Sequence, residues 1–157
     1  MRIGFGNDIH RLEAGNTLVI GGVRIDSDRG AVGHSDADVL LHAVTDAVLG
    51  ALALGDIGAH FPNSDPQWKD ADSSVFLAKA VELAHQAGYS VANVDSTISL
   101  ESPKLRPYID EMRGRLAELL GIEIARVSVK AKTGEGVDAI GRREAIRAEA
   151  VVLLERR

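Results

Sequence analysis

Asp8 and His10 stand two positions apart in a segment of alternating character that reads as a strand, so both side chains leave the same face. A carboxylate and an imidazole projecting together can grip one cation. His42, early in a helical stretch, offers a third ligand and leaves a fourth position open, as catalytic zinc sites do. Two histidines and one carboxylate suit iron or manganese equally well. Without a metal, the same residues are two surface groups and a histidine on a helix face. Asp38 and Asp46 lie one helical turn to either side of His42, where they could orient its ring or simply face solvent.

His34 and Ser35 stand where that helix is expected to begin, so unpaired N–H groups and the positive end of the dipole would favour an anion such as phosphate. Ser35 reads as the cap, and Asp38 three residues on completes a capping-box pattern. The carboxylates of Asp36 and Asp38 would repel a phosphate unless turned away. Lys130-Ala131-Lys132-Thr133-Gly134-Glu135 ends a strand with two cations, a hydroxyl, a turn glycine and a carboxylate, a mixture able to hold phosphate and a divalent ion. Two glycine patterns carry no nucleotide-binding signal: Gly4-x-Gly6 has Ile9 where a third glycine would fall, and Gly136 to Gly141 is followed by Arg142-Arg143 instead of Lys-Ser/Thr.

The elements that must position these groups are legible in outline. Thr17 to Ile25 predicts a hairpin turning at Gly21-Gly22. A helix is expected from Asp36 to Leu54, stopped by Gly55, followed by a long polar stretch from Asp56 to Asp72 of the kind that is usually functional or disordered. Ser73 or Ser74 caps a second helix ending before Gly88. Asn93 to Leu100 alternates as a strand with Val94, Ile98 and Leu100 on one side, and a third helix runs from Pro107 to Leu120 with Gly121 as its stop. Val127, Val129 and Ala131 mark another strand. The tail from Glu144 to Leu154 fits helix or strand by periodicity, and its Val151-Val152 pair favours strand. The mixed order predicts a single α+β domain over residues 1–157.

Composition narrows the partners. Eighteen Lys plus Arg against 23 Asp plus Glu give a net charge of −5, which weighs against nucleic acid and anionic membranes. Aromatic residues are only 4% of the chain, too few for base stacking to hold a nucleic acid. No apolar run approaches the ~20 residues of a membrane helix. With no cysteine, any metal must be held by His, Asp or Glu. The opening residues carry no signal-peptide pattern, so a reducing cytoplasm is the expected compartment.

Several motifs in collinear order then carry a resemblance. They are Arg2-Ile3-Gly4-x-Gly6-x-Asp8-Ile9-His10-Arg11, Gly33-His34-Ser35-Asp36-Ala37-Asp38 through His42, Gly55-Asp56-Ile57-Gly58, and Phe61-Pro62-Asn63-Ser64-Asp65-Pro66. Asn93-Val94-Asp95, Ser102-Pro103-Lys104-Leu105, Val129 to Thr133 and Gly141-Arg142 continue the series. Together they resemble the 2-C-methyl-D-erythritol 2,4-cyclodiphosphate synthase family of the non-mevalonate isoprenoid pathway, across almost the whole chain. The resemblance implies a homotrimer of α+β subunits, each with a mixed β-sheet covered by helices on one face, and active sites between neighbouring subunits.

It also implies roles. Asp8, His10 and His42 would bind one zinc ion per subunit, and His34 and Ser35 would hold the substrate's phosphates. Asp56, Ile57 and Gly58 would contact the ribose, while Phe61, Pro62, Asn63, Ser64 and Asp65 would form a flap over the methylerythritol. Leu100, Pro103, Lys104, Leu105 and Arg106, with Ala131, Lys132 and Thr133, would form the cytidine pocket. Gly134 and Arg142 would join the substrate-binding set, and Glu135 would hold a second divalent ion, magnesium or manganese, bridging the diphosphate.

The implied reaction is intramolecular phosphoryl transfer, in which a phosphate of a cytidine-diphosphate-linked methylerythritol attacks the β-phosphorus and expels CMP. The attacking phosphate is already an anion, so no general base is needed, and catalysis rests on positioning and charge neutralisation. His34 and Thr133 are the expected stabilisers of the transition state. Three positions depart from the usual pattern: Asn63 replaces Asp, Ala139 replaces what is often an aromatic residue, and Ala145 replaces glycine. Two other readings compete: a zinc-dependent phosphoester hydrolase, which the same groups would serve equally well, and a non-catalytic trimer that binds nucleotide or prenyl diphosphate, which would need no metal triad, so that the presence of Asp8, His10 and His42 counts against it.

Overall fold

A computed structural model describes residues 1–157. The alternating opening segment forms β1 (Arg2–Ala14), and the expected hairpin forms β2 (Leu18–Ile20) and β3 (Val23–Ile25), with Gly21 and Gly22 both at positive φ in the turn. β4 (Arg29–Ala31) returns along β1, and α1 spans Val39–Ala51. The polar stretch holds the short α2 (Ile57–His60) and a 3-10 turn at Pro66–Trp68 before α3 (Ser74–Gln86). Then come β5 (Tyr89–Ser99), α4 (Ile109–Leu120), β6 (Val127–Lys132), α5 (Asp138–Gly141) and β7 (Ala145–Arg156). The tail is a strand, as its valine pair indicates.

Five strands make one mixed sheet in the order β4-β1-β7-β5-β6, with only the β5–β6 pair parallel. A parallel pair needs a crossover, and α4 supplies it. The helices share one face, α1 across β1 and β7, α3 against β5 and α4 against β6. Period-two alternation sorts the strands accordingly: Ile146, Ala148, Ala150, Val152 and Leu154 of β7 are buried beneath the helices. On the opposite face Ile3, Phe5, Ile9 and Val151 are exposed, at 72, 58, 50 and 44%.

Two glycines set the distance between α1 and β1. A Cβ on Gly4 would lie 1.7 Å from the carbonyl oxygen of Ala47, and one on Gly6 would lie 2.0 Å from that of Ala43. Only glycine permits so close a backbone approach.

The start of α1 differs from expectation. Ala37 has a left-handed φ of 57°, which no helix can include, so the helix begins three residues later than predicted, after Asp38 instead of Ser35. The Asp38 carboxylate accepts from the N–H groups of Leu40 and Leu41 and also from Gly21 and Gly22 of the hairpin turn. There is accordingly no capping box at Ser35, whose hydroxyl accepts from Ala37 N–H. At the other end α1 stops at Ala51, and Ala53 turns to φ 59° before Gly55 is reached. The third helix starts as a 3-10 turn at Arg106–Tyr108 and ends, as expected, at a left-handed Gly121.

Candidate active site

The period of β1 puts Asp8 and His10 on its helix-covered side, and the close seat of α1 brings His42, in its first turn, down onto them. Asp8 Oδ2 lies 2.8 Å from His10 Nε2 and 3.0 Å from His42 Nδ1, and the two ring nitrogens are 3.2 Å apart. One ligand atom from each residue falls within 4.8 Å of the other two. Burial opposes the charge on Asp8, but its close contacts with the His10 and His42 rings outweigh it and hold its pKa down to about 2. For His10, burial acts against the cation, yet the Asp8 contact wins and its pKa is raised.

The outer nitrogens decide which atoms face inward. His10 Nδ1 is 2.9 Å from the carbonyl oxygen of Val32, an acceptor only, so Nδ1 carries the hydrogen and Nε2 is left to face Asp8. His42 Nε2 is 2.8 Å from the Ser73 hydroxyl and 3.2 Å from that of Ser35, leaving Nδ1 turned inward. Two inward imidazole nitrogens and a carboxylate oxygen converging on one point fit a divalent ion of the zinc type.

A cavity of about 320 Å³ opens over the three ligands. His34, Ser35, Ile57, Gly58, Phe61 and Asn63 line it, as the sequence leads one to expect, together with Trp68 and Phe76, which it did not single out. Phe61, Trp68 and Phe76 stack edge-on or tilted with ring centroids 4.6 to 5.8 Å apart, anchoring the polar stretch to α3. Asp56 and Asp65 serve local structure, capping α2 and the 3-10 turn, and Pro62 and Ser64 belong to the turn closed by Asp65 N–H on the Pro62 carbonyl.

Two expectations about this region are corrected. The N-terminus of α1 is not an anion site, because the Asp38 carboxylate already takes its N–H groups; His34 and Ser35 face the cavity through their side chains instead. Burial pushes Asp38 up to about 6 against the pull of Leu41, Gly22 and Gly21 N–H. Nor do Asp38 and Asp46 orient His42, since Asp46 accepts from Ile57 N–H at 2.7 Å. The ring is held by Ser73, a residue read from sequence only as a helix cap. No local signal marks it, because the contact joins residues 31 positions apart.

A second cavity, of about 420 Å³, is lined by Leu100, Pro103, Lys104, Leu105, Arg106, Ala131, Lys132 and Thr133, all residues of the expected cytidine pocket. It shares no lining residue with the first: His34 lines one and Thr133 the other. Gly134, Glu135 and Arg142 line neither cavity. Glu135 accepts from the Thr133 hydroxyl at 2.9 Å, Gly134 N–H donates to Glu101, and Arg142 pairs with Glu144.

Fold and site together define a small α+β protein with a centre of one carboxylate and two histidines at the wall of a polar cavity. The chain belongs to the YgbB family, which it matches over residues 1–155. It is 58% identical to the 2-C-methyl-D-erythritol 2,4-cyclodiphosphate synthase of Geobacter metallireducens over the full length of both chains. It is 56% identical to that of Salinibacter ruber over 155 residues, 99% of each chain. The chloroplastic synthase of Oryza sativa is 54% identical over 99% of this chain and 70% of its own length. A solved structure of such a synthase superposes with a TM-score of 0.92 at 42% identity, covering 98% of this chain and 100% of the other. A CDP-bound form gives 0.92 at 41% identity over the same shares of the two chains.

Proposed function

We propose that this chain converts 4-diphosphocytidyl-2-C-methyl-D-erythritol 2-phosphate to 2-C-methyl-D-erythritol 2,4-cyclodiphosphate and CMP. The observation that carries this is the convergence of Asp8, His10 and His42 on one point in a chain that matches such synthases end to end. An oxygen of the 2-phosphate attacks the β-phosphorus, the bond from that phosphorus to the bridging oxygen breaks, and CMP leaves with the electron pair. A zinc ion on Asp8, His10 and His42 supplies fixed positive charge and Lewis acidity toward a phosphate oxygen. His34 and Ser35, in the same cavity, hold phosphate by hydrogen bonds, and the flap from Phe61 to Asp65 covers the methylerythritol while Asp56 to Gly58 meet the ribose.

The second cavity takes the cytidine, and a relative solved with CDP supports a nucleotide ligand. Lys132 and Thr133 in its lining meet the diphosphate, with Thr133 donating to charge that grows in the transition state. Glu135, with Gly134 and Arg142 nearby in sequence, would hold a magnesium or manganese ion, which would supply fixed positive charge beside the diphosphate. The assembly is a homotrimer that joins the first cavity of one subunit to the second of its neighbour. Two features support it: the separate cavities of the single chain, and the exposed apolar side chains on the uncovered sheet face. No helix is long and apolar enough to cross a membrane, and a reducing cytoplasm suits a chain without cysteine.

The test is direct. Incubation with the 2-phosphate substrate in heavy-oxygen water should release CMP, give a cyclic diphosphate by phosphorus NMR, and leave both products unlabelled; a chelator should stop it. Label in the product would make the chain a hydrolase, and absence of CMP would refute the assignment.

A further inference from the structure

Ser73 is fully buried, although it carries a hydroxyl and stands at the head of α3 without capping it. Its Oγ has one hydrogen to give and three neighbours in reach: a carboxylate oxygen of Asp36, His42 Nε2 at 2.8 Å and the Ser35 hydroxyl at 3.5 Å. The oxygens of Asp36 act here as acceptors, since they also receive Ser73 N–H at 3.1 Å and Asp38 N–H at 3.1 Å. The Ser73 hydrogen therefore goes to Asp36, and Ser73 Oγ is left as an acceptor toward His42. That orientation demands a hydrogen on His42 Nε2 and leaves Nδ1 with its lone pair directed at Asp8 and His10.

We propose that Asp36 and Ser73 are positioning residues that act through His42, fixing both its ring plane and the tautomer that presents Nδ1 to a metal. Asp36 sits on one loop and Ser73 at the end of another, and two backbone bonds clamp the loops together. Asp36 N–H donates to the Ala71 carbonyl at 3.0 Å and Asp70 N–H to that of His34 at 2.8 Å. The clamp holds the end of the polar stretch and the metal ligand in one frame. A partner of this kind beside a ligating histidine typically contributes 10- to 100-fold in metal affinity.

The inference rests on Asp8, His10 and His42 being metal ligands, and the test separates the two ideas. Zinc is loaded into the wild type and into Ser73→Ala and Ser73→Thr variants, and its release to a chelator is timed. Long-range proton–nitrogen NMR locates the His42 hydrogen in each protein. Release from Ser73→Ala should be roughly 10- to 100-fold faster, with the hydrogen-bonded Nε2–H signal lost, and Ser73→Thr, which keeps the hydroxyl, should restore both. Unchanged release and an unchanged Nε2–H signal in Ser73→Ala would overturn the proposal, as would equal loss in both variants. A wild type that takes up no zinc would instead refute the metal assignment itself. Should Ser73→Ala fail to fold, Asp36→Ala replaces it, since removing the acceptor frees the Ser73 hydrogen to turn toward His42 and should move its tautomer and zinc release in the same sense.

Discussion

His42 is the ligand whose loss is most informative, because it alone comes from a helix while Asp8 and His10 share a strand. His42→Ala should abolish turnover and bound zinc but leave the chain folded, since three protein ligands fix the ion and two rarely do. Elemental analysis beside circular dichroism checks it, and stoichiometric zinc in the variant would remove His42 from the centre. Glu135 makes the complementary case. Its carboxylate is held by the Thr133 hydroxyl in a left-handed backbone position, φ 51°. Glu135→Gln should weaken the dependence on added magnesium or manganese while sparing zinc, because lost charge matters most to a hard, oxygen-bound ion. A titration of activity against each metal reads this, and an identical curve would exclude the role. The three zinc-type ligands were legible in the sequence because strand period and helix start each place a side chain by local rules. Ser73 and Asp36 were not, because their meeting with His42 depends on two loops that only the folded chain brings together.

Among the elements, α1 depends on a cap that does double duty. Four N–H groups, two from its own first turn and two from the hairpin turn at Gly21-Gly22, converge on the Asp38 carboxylate. Asp38→Ala would leave them without an acceptor in a buried place. The cost should be on the order of 3 kcal/mol, seen as a fall in melting temperature of roughly 10 °C. A fall of only a degree or two would mean that water replaces the carboxylate. Here the sequence was legible to within a few residues and no closer. Ser35 and Asp38 are both good caps, and the choice between them was made by Ala37 adopting φ 57° and by a hairpin distant in sequence. The tail was ambiguous for a different reason: β7 has sheet neighbours on both sides, and strand pairing decides what helix propensity alone leaves open.

At the scale of the whole molecule, the two cavities on one chain predict how activity should be shared. Asp8 lines one and Thr133 the other. Asp8→Ala and Thr133→Ala chains, each inactive alone, should recover activity when unfolded together and reassembled. With random mixing in a closed ring, roughly a quarter of the interfaces should join two intact halves. Chains carrying both substitutions, mixed with wild type, control for assembly. Mixed single mutants that assemble yet stay at background would place the whole site within one subunit. The exposed face with Ile3, Phe5, Ile9 and Val151 could be read in the sequence only as alternation, because a strand pattern says which residues share a side and not whether helices or another subunit cover it.

Trp68 is the only tryptophan in the chain, and it stands against Phe61 and Phe76 at the wall of the cavity that holds the three ligands. Its indole N–H is buried and has no hydrogen-bond partner. The protein thus carries its own optical reporter: with excitation at wavelengths where its two tyrosines barely absorb, emission comes from one ring, whose surroundings should change if the segment from Phe61 to Asp65 closes over a guest. Stopped-flow mixing with the substrate should show a shift in that emission preceding CMP release, so closure and chemistry can be timed separately without a label. Emission that stays constant through a full turnover would mean that the ring beside the cavity does not move.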